Sequence, residues 1–164
     1  MATYAAYHRD PRNRATHFVG VPLIMLAILV PLSWIRVEVS GFGITAAMVL
    51  AAAVLAYYFV LDVALALAML AVLGALIWLA ELIVAAGTAQ AWAWFGALFV
   101  GGWILQLVGH VFEGRRPALV DNLLQIFVAP IFLMAEVFFA LGYKPELRRR
   151  LSSSGRTASS ARSS

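Results

Sequence analysis

Three histidines are the residues of this 164-residue chain best suited to chemistry. His8 and His17 precede the first long apolar run, and His110 closes a later one in Q-L-V-G-H-V-F-E, Gln106 to Glu113. If those runs cross a bilayer, up-and-down topology brings all three imidazoles to one face of it. Three imidazoles with a nearby carboxylate suit a divalent transition metal. Gln106, His110 and Glu113, at steps of four and three, share one helical stripe. Glu113 can then be a fourth ligand, or hold the second ring nitrogen of His110 from outside the ligand set. Asn13 and His17, four apart, also share a face. His8 and His17, nine apart, would point to opposite sides of an unbroken helix. Pro11 supplies the bend that lets them converge, and Asp10 can cap the helix that begins there. Cysteine is absent, so disulfides and thiolate sites are excluded. The remaining ligand types suit a hard to intermediate ion such as Fe(II), without separating it from zinc.

Each of these residues has a plainer reading beside the catalytic one. A single histidine at a membrane boundary is commonly a polar anchor, and Glu113 can pair with Arg115 or Arg116. The joint placement of the three histidines is what points to a shared site. Arg12, Arg14, Arg115 and Arg116 either set topology and meet lipid headgroups or bind the carboxylate of an acidic substrate at the interface. Asp62 either marks the water boundary between two apolar runs or serves as a buried functional carboxylate.

These residues need a scaffold, and the composition names it. The chain is 63% hydrophobic and 12% charged, where soluble domains carry about 25% charged residues. A bilayer absorbs that apolar surface and a water-soluble core of this size does not. Five apolar runs stand at about residues 18–35, 44–61, 63–86, 92–112 and 123–141. They are too long and too poorly alternating for strands, so the expectation is an all-α integral membrane bundle. The second and third runs meet at Val60-Leu61-Asp62-Val63 with no turn residue and predict a tight helical hairpin. Gly96, Gly101 and Gly102 predict a small face on the fourth. Pro130 interrupts the fifth, and a fifth full span would strand Arg148, Arg149 and Arg150 on the side opposite the other arginines. The reading is therefore four transmembrane helices plus a Pro-broken fifth segment, re-entrant or spanning. Residues 1–17 form a cytoplasmic segment with ligand candidates, 18–141 the helical domain, and 142–164 a basic, Ser-rich tail expected to be disordered.

The net charge of +4 sits in arginine clusters flanking apolar runs. It therefore reads as contact with membrane lipid and not with nucleic acid. The start of the chain lacks the pattern of a cleavable signal peptide. The expected location is a bacterial inner membrane, or the endoplasmic reticulum in a eukaryote, with a cytoplasmic N-terminus. Oligomeric state is left open.

In this order, Tyr7-His8, Asn13 to His17, Gly20, Pro22, Tyr58, Asp62, Gly102-Trp103, Gln106, Gly109-His110, Glu113, Pro117-Ala118-Leu119, Gln125 and Ala129-Pro130 resemble a known family. It is the fungal endoplasmic-reticulum 2-hydroxy fatty acid dioxygenase family of phytosphingosine breakdown, together with its bacterial relatives. The resemblance covers residues 4 to 145 and leaves out the Ser-rich tail. It implies an Fe(II)-dependent dioxygenase that uses O2 to shorten a 2-hydroxy fatty acid by one carbon, with His8, His17 and His110 as iron ligands. Glu113, Asn13 and Asp62 follow as further site residues. The chemistry is self-consistent, because losing CO2 from a 2-hydroxy acid to give the shorter acid removes four electrons, which one O2 accepts. Two rivals are a non-catalytic membrane scaffold and a small transporter-like protein. The transporter predicts polar residues at the midplane, where the first four runs are nearly all apolar.

Overall fold

The computed structural model describes residues 10–113, 125–140 and 142. Among them the chain is helical apart from one small hairpin. Helix α1 spans Pro11–Trp34, strands β1 and β2 span Arg36–Val39 and Phe42–Thr45, α2 spans Ala46–Leu61, α3 Val63–Ala85, α4 Thr88–Glu113 and α5 Gln125–Ala140. The all-α expectation holds in its main lines, and two details differ.

First, among the described residues three helices are long and apolar enough to cross a membrane: α1, α3 and α4. The expected fourth, α2, has 16 residues. At 1.5 Å per residue it reaches about 24 Å, short of the ~30 Å hydrocarbon core. Its run is cut at the front by β2, which takes residues that the apolar count had given to the helix. Second, Pro130 does not break α5, which runs through it for 16 residues. A proline removes one backbone bond but does not oblige a helix to stop when surrounding elements cover the freed carbonyl. Pro22 and Pro31 lie inside α1 in the same way.

The predicted helical hairpin is present, with α2 packed on α3. Asp62 is its corner. It has extended backbone (φ −166°, ψ 118°), donates its amide to the Tyr58 carbonyl, and accepts from the Ala64 and Leu65 amides through Oδ1 at 3.0 and 3.2 Å. One residue thus ends one helix and caps the next, so no longer turn is needed.

The chain divides into two compact units. One is Val19–Ile104, and the other joins the segment up to Phe18 with the segment from Leu105 onward. The core of the first unit gathers Leu26, Leu29 and Val30 of α1, Ala47 of α2, Leu76 and Ala80 of α3, and Ala91 of α4. Gly102 brings α4 against α1 there, since a Cβ at this position would lie 2.6 Å from Ile24 Cγ1 and 3.1 Å from the Gly20 carbonyl. Gly96 and Gly101 face open space, so only part of the expected small face is used for packing.

Candidate metal centre

The second unit carries the residues that the histidine spacing singled out. Helix α1 begins as expected. The Asp10 Oδ1 accepts from the Arg12 amide at 2.7 Å, which holds the Asp10 carboxyl below the ordinary carboxylate range, and Pro11 occupies the first helical position. One turn of helix then places Asn13 and His17 on the same face, both fully or almost fully buried.

His17 is only 2% exposed, and its Nδ1 lies 2.9 Å from the Asn13 carbonyl oxygen. A carbonyl only accepts, so Nδ1 carries the proton and donates. The ring is thereby fixed as the tautomer whose Nε2 keeps its lone pair, the arrangement that orients a metal-binding imidazole. The Thr16 hydroxyl donates to the same carbonyl at 2.8 Å. From α4, His110 stands edge to face against His17, with ring centroids 5.1 Å apart and planes at 84°. This spacing lies within the ordinary range of edge-to-face ring packing, and it brings the two imidazoles side by side.

The close approach of the helices depends on Gly109. A Cβ there would overlap Thr16 Oγ1 and Asn13 Oδ1 and sit 3.2 Å from His17 Nδ1. Only a residue without a side chain lets α4 deliver the next residue, His110, to His17. One turn earlier, Gln106 is buried as well, and its Nε2 has no hydrogen-bond partner among the described residues. The stripe read from the sequence is therefore a real buried face as far as His110.

The arginines separate into two kinds. Arg14 forms an ion pair with Glu136 of α5, a tie between two elements of this unit. Arg12 is largely exposed, lies 3.5 Å from Asp10 Oδ1, and holds its guanidinium over the Phe112 ring at 4.8 Å. His8, Arg115 and Arg116 fall outside the described residues, as does the Glu113 side chain, although Glu113 ends α4. Among the described residues no group of three or more His, Asp or Glu is placed to hold a metal ion. The structure thus brings together Asn13, His17, Gln106 and His110. Asp62, in the other unit, acts as a helix cap. Gln106 and Gly109 are the residues whose roles the sequence reading did not assign. A polar residue at i−4 from a ligand candidate and a glycine beside it were the available signals.

With this geometry established, the chain can be compared with known proteins. The family described as "2-hydroxy-palmitic acid dioxygenase Mpo1-like" matches residues 1–141.

The chain belongs to the Mpo1-like family.

A relative in Saccharomyces cerevisiae, 2-hydroxy-palmitic acid dioxygenase MPO1, is 36% identical over 154 residues, covering 92% of this chain and 84% of that protein. No solved structure matches. The Mpo1-like match takes in both histidine segments and ends where the Ser-rich tail begins.

Proposed function

We propose that this chain is an Fe(II)-dependent membrane enzyme that oxidises a 2-hydroxy fatty acid with O2 to the acid one carbon shorter, releasing CO2. The overall change is R-CH(OH)-COOH + O2 → R-COOH + CO2 + H2O. The acid gives up four electrons and O2 takes four, so the balance needs no further reductant. Family membership supports the substrate class. The observation that carries the reading is the buried His17–His110 pair, with His17 Nδ1 held by the Asn13 carbonyl.

His17 and His110 hold the ion, with His8 as the third ligand and Glu113 as a fourth ligand or as the carboxylate behind His110. Bound ferrous iron supplies what side chains lack, the activation of O2 toward a C–H and a C–C bond. The chain's own residues do the rest. Asn13 keeps His17 in the binding tautomer through its carbonyl. Gln106 offers a buried amide donor suited to the substrate's carboxylate or 2-hydroxyl, groups that would leave a partnerless donor satisfied. Arg12, beside Asp10 and over the Phe112 ring, has a largely exposed guanidinium, as an arginine that attracts a carboxylate must. Arg115 and Arg116 are candidates for the same task. Arg14 is committed to Glu136 and acts in holding the site together. The acyl tail lies among apolar helix faces, where each buried CH2 contributes about 0.8 kcal/mol.

The test is anaerobic purification in detergent, loading with Fe(II) or Zn(II), and product analysis after adding 2-hydroxypalmitate and O2. Iron-dependent formation of the C15 acid is expected. Equal activity with zinc, or no C15 acid with either ion, overturns the assignment.

A further inference from the structure

The hairpin between α1 and α2 leaves an apolar face uncovered. Its register pairs Val37 with Ile44 and Val39 with Phe42, alternating with Arg36 opposite Thr45 and Glu38 opposite Gly43. Side chains alternate along a strand, so Val37, Val39, Phe42 and Ile44 share one face and Arg36, Glu38 and Thr45 the other. The chain reverses at Ser40 and Gly41, both with positive φ (51° and 82°), the tight two-residue turn that matches the twist of paired strands.

The polar face carries the hairpin's ties to its neighbours, although Arg36 and Glu38 are themselves exposed. Arg36 pairs with Glu81 of α3, and the Arg36 and Glu38 side chains fold across Gly43, where a Cβ would meet them at 2.9–3.0 Å. Thr45 is buried and caps α2 through its hydroxyl, which accepts from the Met48 amide. The apolar face is turned outward, with Phe42 76% and Val37 63% exposed. A hairpin on a surface facing water would cover such a face.

Its position explains the uncovered face. The hairpin starts directly after α1, whose last residue, Trp34, packs at a tilt of 46° against Trp92 near the start of α4, with ring centroids 5.1 Å apart. Trp92 and Trp94 are themselves half exposed. A tryptophan cluster at the ends of apolar helices marks the level where hydrocarbon gives way to headgroups. A two-stranded sheet also leaves unpaired N–H and C=O groups on both outer edges, which the hydrocarbon core does not satisfy but the wet interface does.

We propose that this hairpin is an interfacial anchor that lays its Val37, Val39, Phe42 and Ile44 face into the acyl–headgroup boundary of the membrane crossed by α1, α3 and α4. Arg36–Glu81 holds it in that attitude, and its occupant is lipid of the same bilayer.

The absence of cysteine makes the test direct. Single variants Phe42→Cys, Val37→Cys and Glu38→Cys, each with a nitroxide label, are reconstituted in phosphatidylcholine–phosphatidylglycerol vesicles. Relaxation by O2, which concentrates in lipid, is compared with relaxation by a water-soluble nickel chelate. Labels at 42 and 37 should respond several-fold more to O2 than to nickel, and the label at 38 should show a lower O2-to-nickel ratio than either. Greater nickel accessibility at 42 and 37 than at 38 overturns the proposal. So does dipolar broadening at 42 that vanishes on dilution with unlabelled chain, since a second copy would then cover the face. Because all three positions lie on one hairpin, the label at 38 reports whether the hairpin has kept its two faces.

Discussion

His17 of α1 and His110 of α4 meet edge to face with ring centroids 5.1 Å apart, although they stand 93 positions apart in the sequence. Each ring is placed by a device of its own. His17 is steered by a hydrogen bond to the carbonyl one turn back, and His110 by a glycine that lets its helix come close. Two dissimilar devices, one polar and one steric, converge on the same pair, as expected where ring placement matters more than the stability of either helix.

Gly109→Ala tests the steric device. The added methyl would overlap Thr16 and Asn13, and overpacking of this kind costs about 1–3 kcal/mol. The expected outcome is a lower thermal midpoint in detergent together with reduced iron content per chain. Gly101→Ala is the control, since its Cβ meets nothing, and it should leave both quantities near wild type.

Gln106→Leu removes the buried amide donor while keeping the volume close. If Nε2 serves the substrate's oxygen atoms, the variant should retain iron and fold and show a higher KM for 2-hydroxypalmitate, by about tenfold for one lost hydrogen bond of ~1.4 kcal/mol. Steady-state kinetics beside metal analysis separates this from a loss of iron.

Asp62 was a candidate carboxylate on sequence grounds, and the structure shows its Oδ1 capping α3. Asp62→Ala should cost about 1 kcal/mol of stability, whereas Asp62→Asn, also a good cap, should recover most of it. Activity should follow stability across the two variants. An Asp62→Asn protein that is as stable as wild type but inactive would return this residue to the catalytic list.

Arg14 and Glu136 tie α1 to α5 through a partly exposed pair. Exposed pairs couple by only about 0.2–1 kcal/mol, so a double-mutant cycle of Arg14→Gln and Glu136→Gln, followed by thermal denaturation, should return a coupling in that range. KM should change little in either single variant, because the guanidinium is already engaged. A large rise in KM for Arg14→Gln alone would assign it to substrate binding.

Much of this arrangement could be read from particular residues in the sequence. Asp10 before Pro11 announced the start of α1, Asn13 and His17 announced their shared face by a spacing of four, and Asp62 without a turn residue announced the joint of α2 and α3. What the sequence concealed has physical causes. Val37-Glu38-Val39 and Phe42-Gly43-Ile44 alternate as strands do, but each is too short to stand out; the second apolar run takes in Ile44 and Thr45, and α2 comes out shorter than that run. Pro130 marks a lost hydrogen bond but does not say whether neighbours compensate for it. Of the glycines on α4, Gly102 and Gly109 face a partner and Gly96 and Gly101 do not. That choice depends on how the helix is rotated against α1, which spacing within one helix leaves undetermined.

The central claim is that His17 and His110 hold the iron that oxidises a 2-hydroxy acid. The most direct measurement is O2 uptake with CO2 release by the Fe(II)-loaded chain on 2-hydroxypalmitate, in wild type and in His17→Ala and His110→Ala. Wild type should consume one O2 per CO2 released with no added reductant. Each variant, folded by circular dichroism, should lose more than about 100-fold in iron affinity, beyond the 10–100-fold typical of outer-shell partners, and activity with it. Unchanged O2 uptake and iron content in both folded variants would contradict the account.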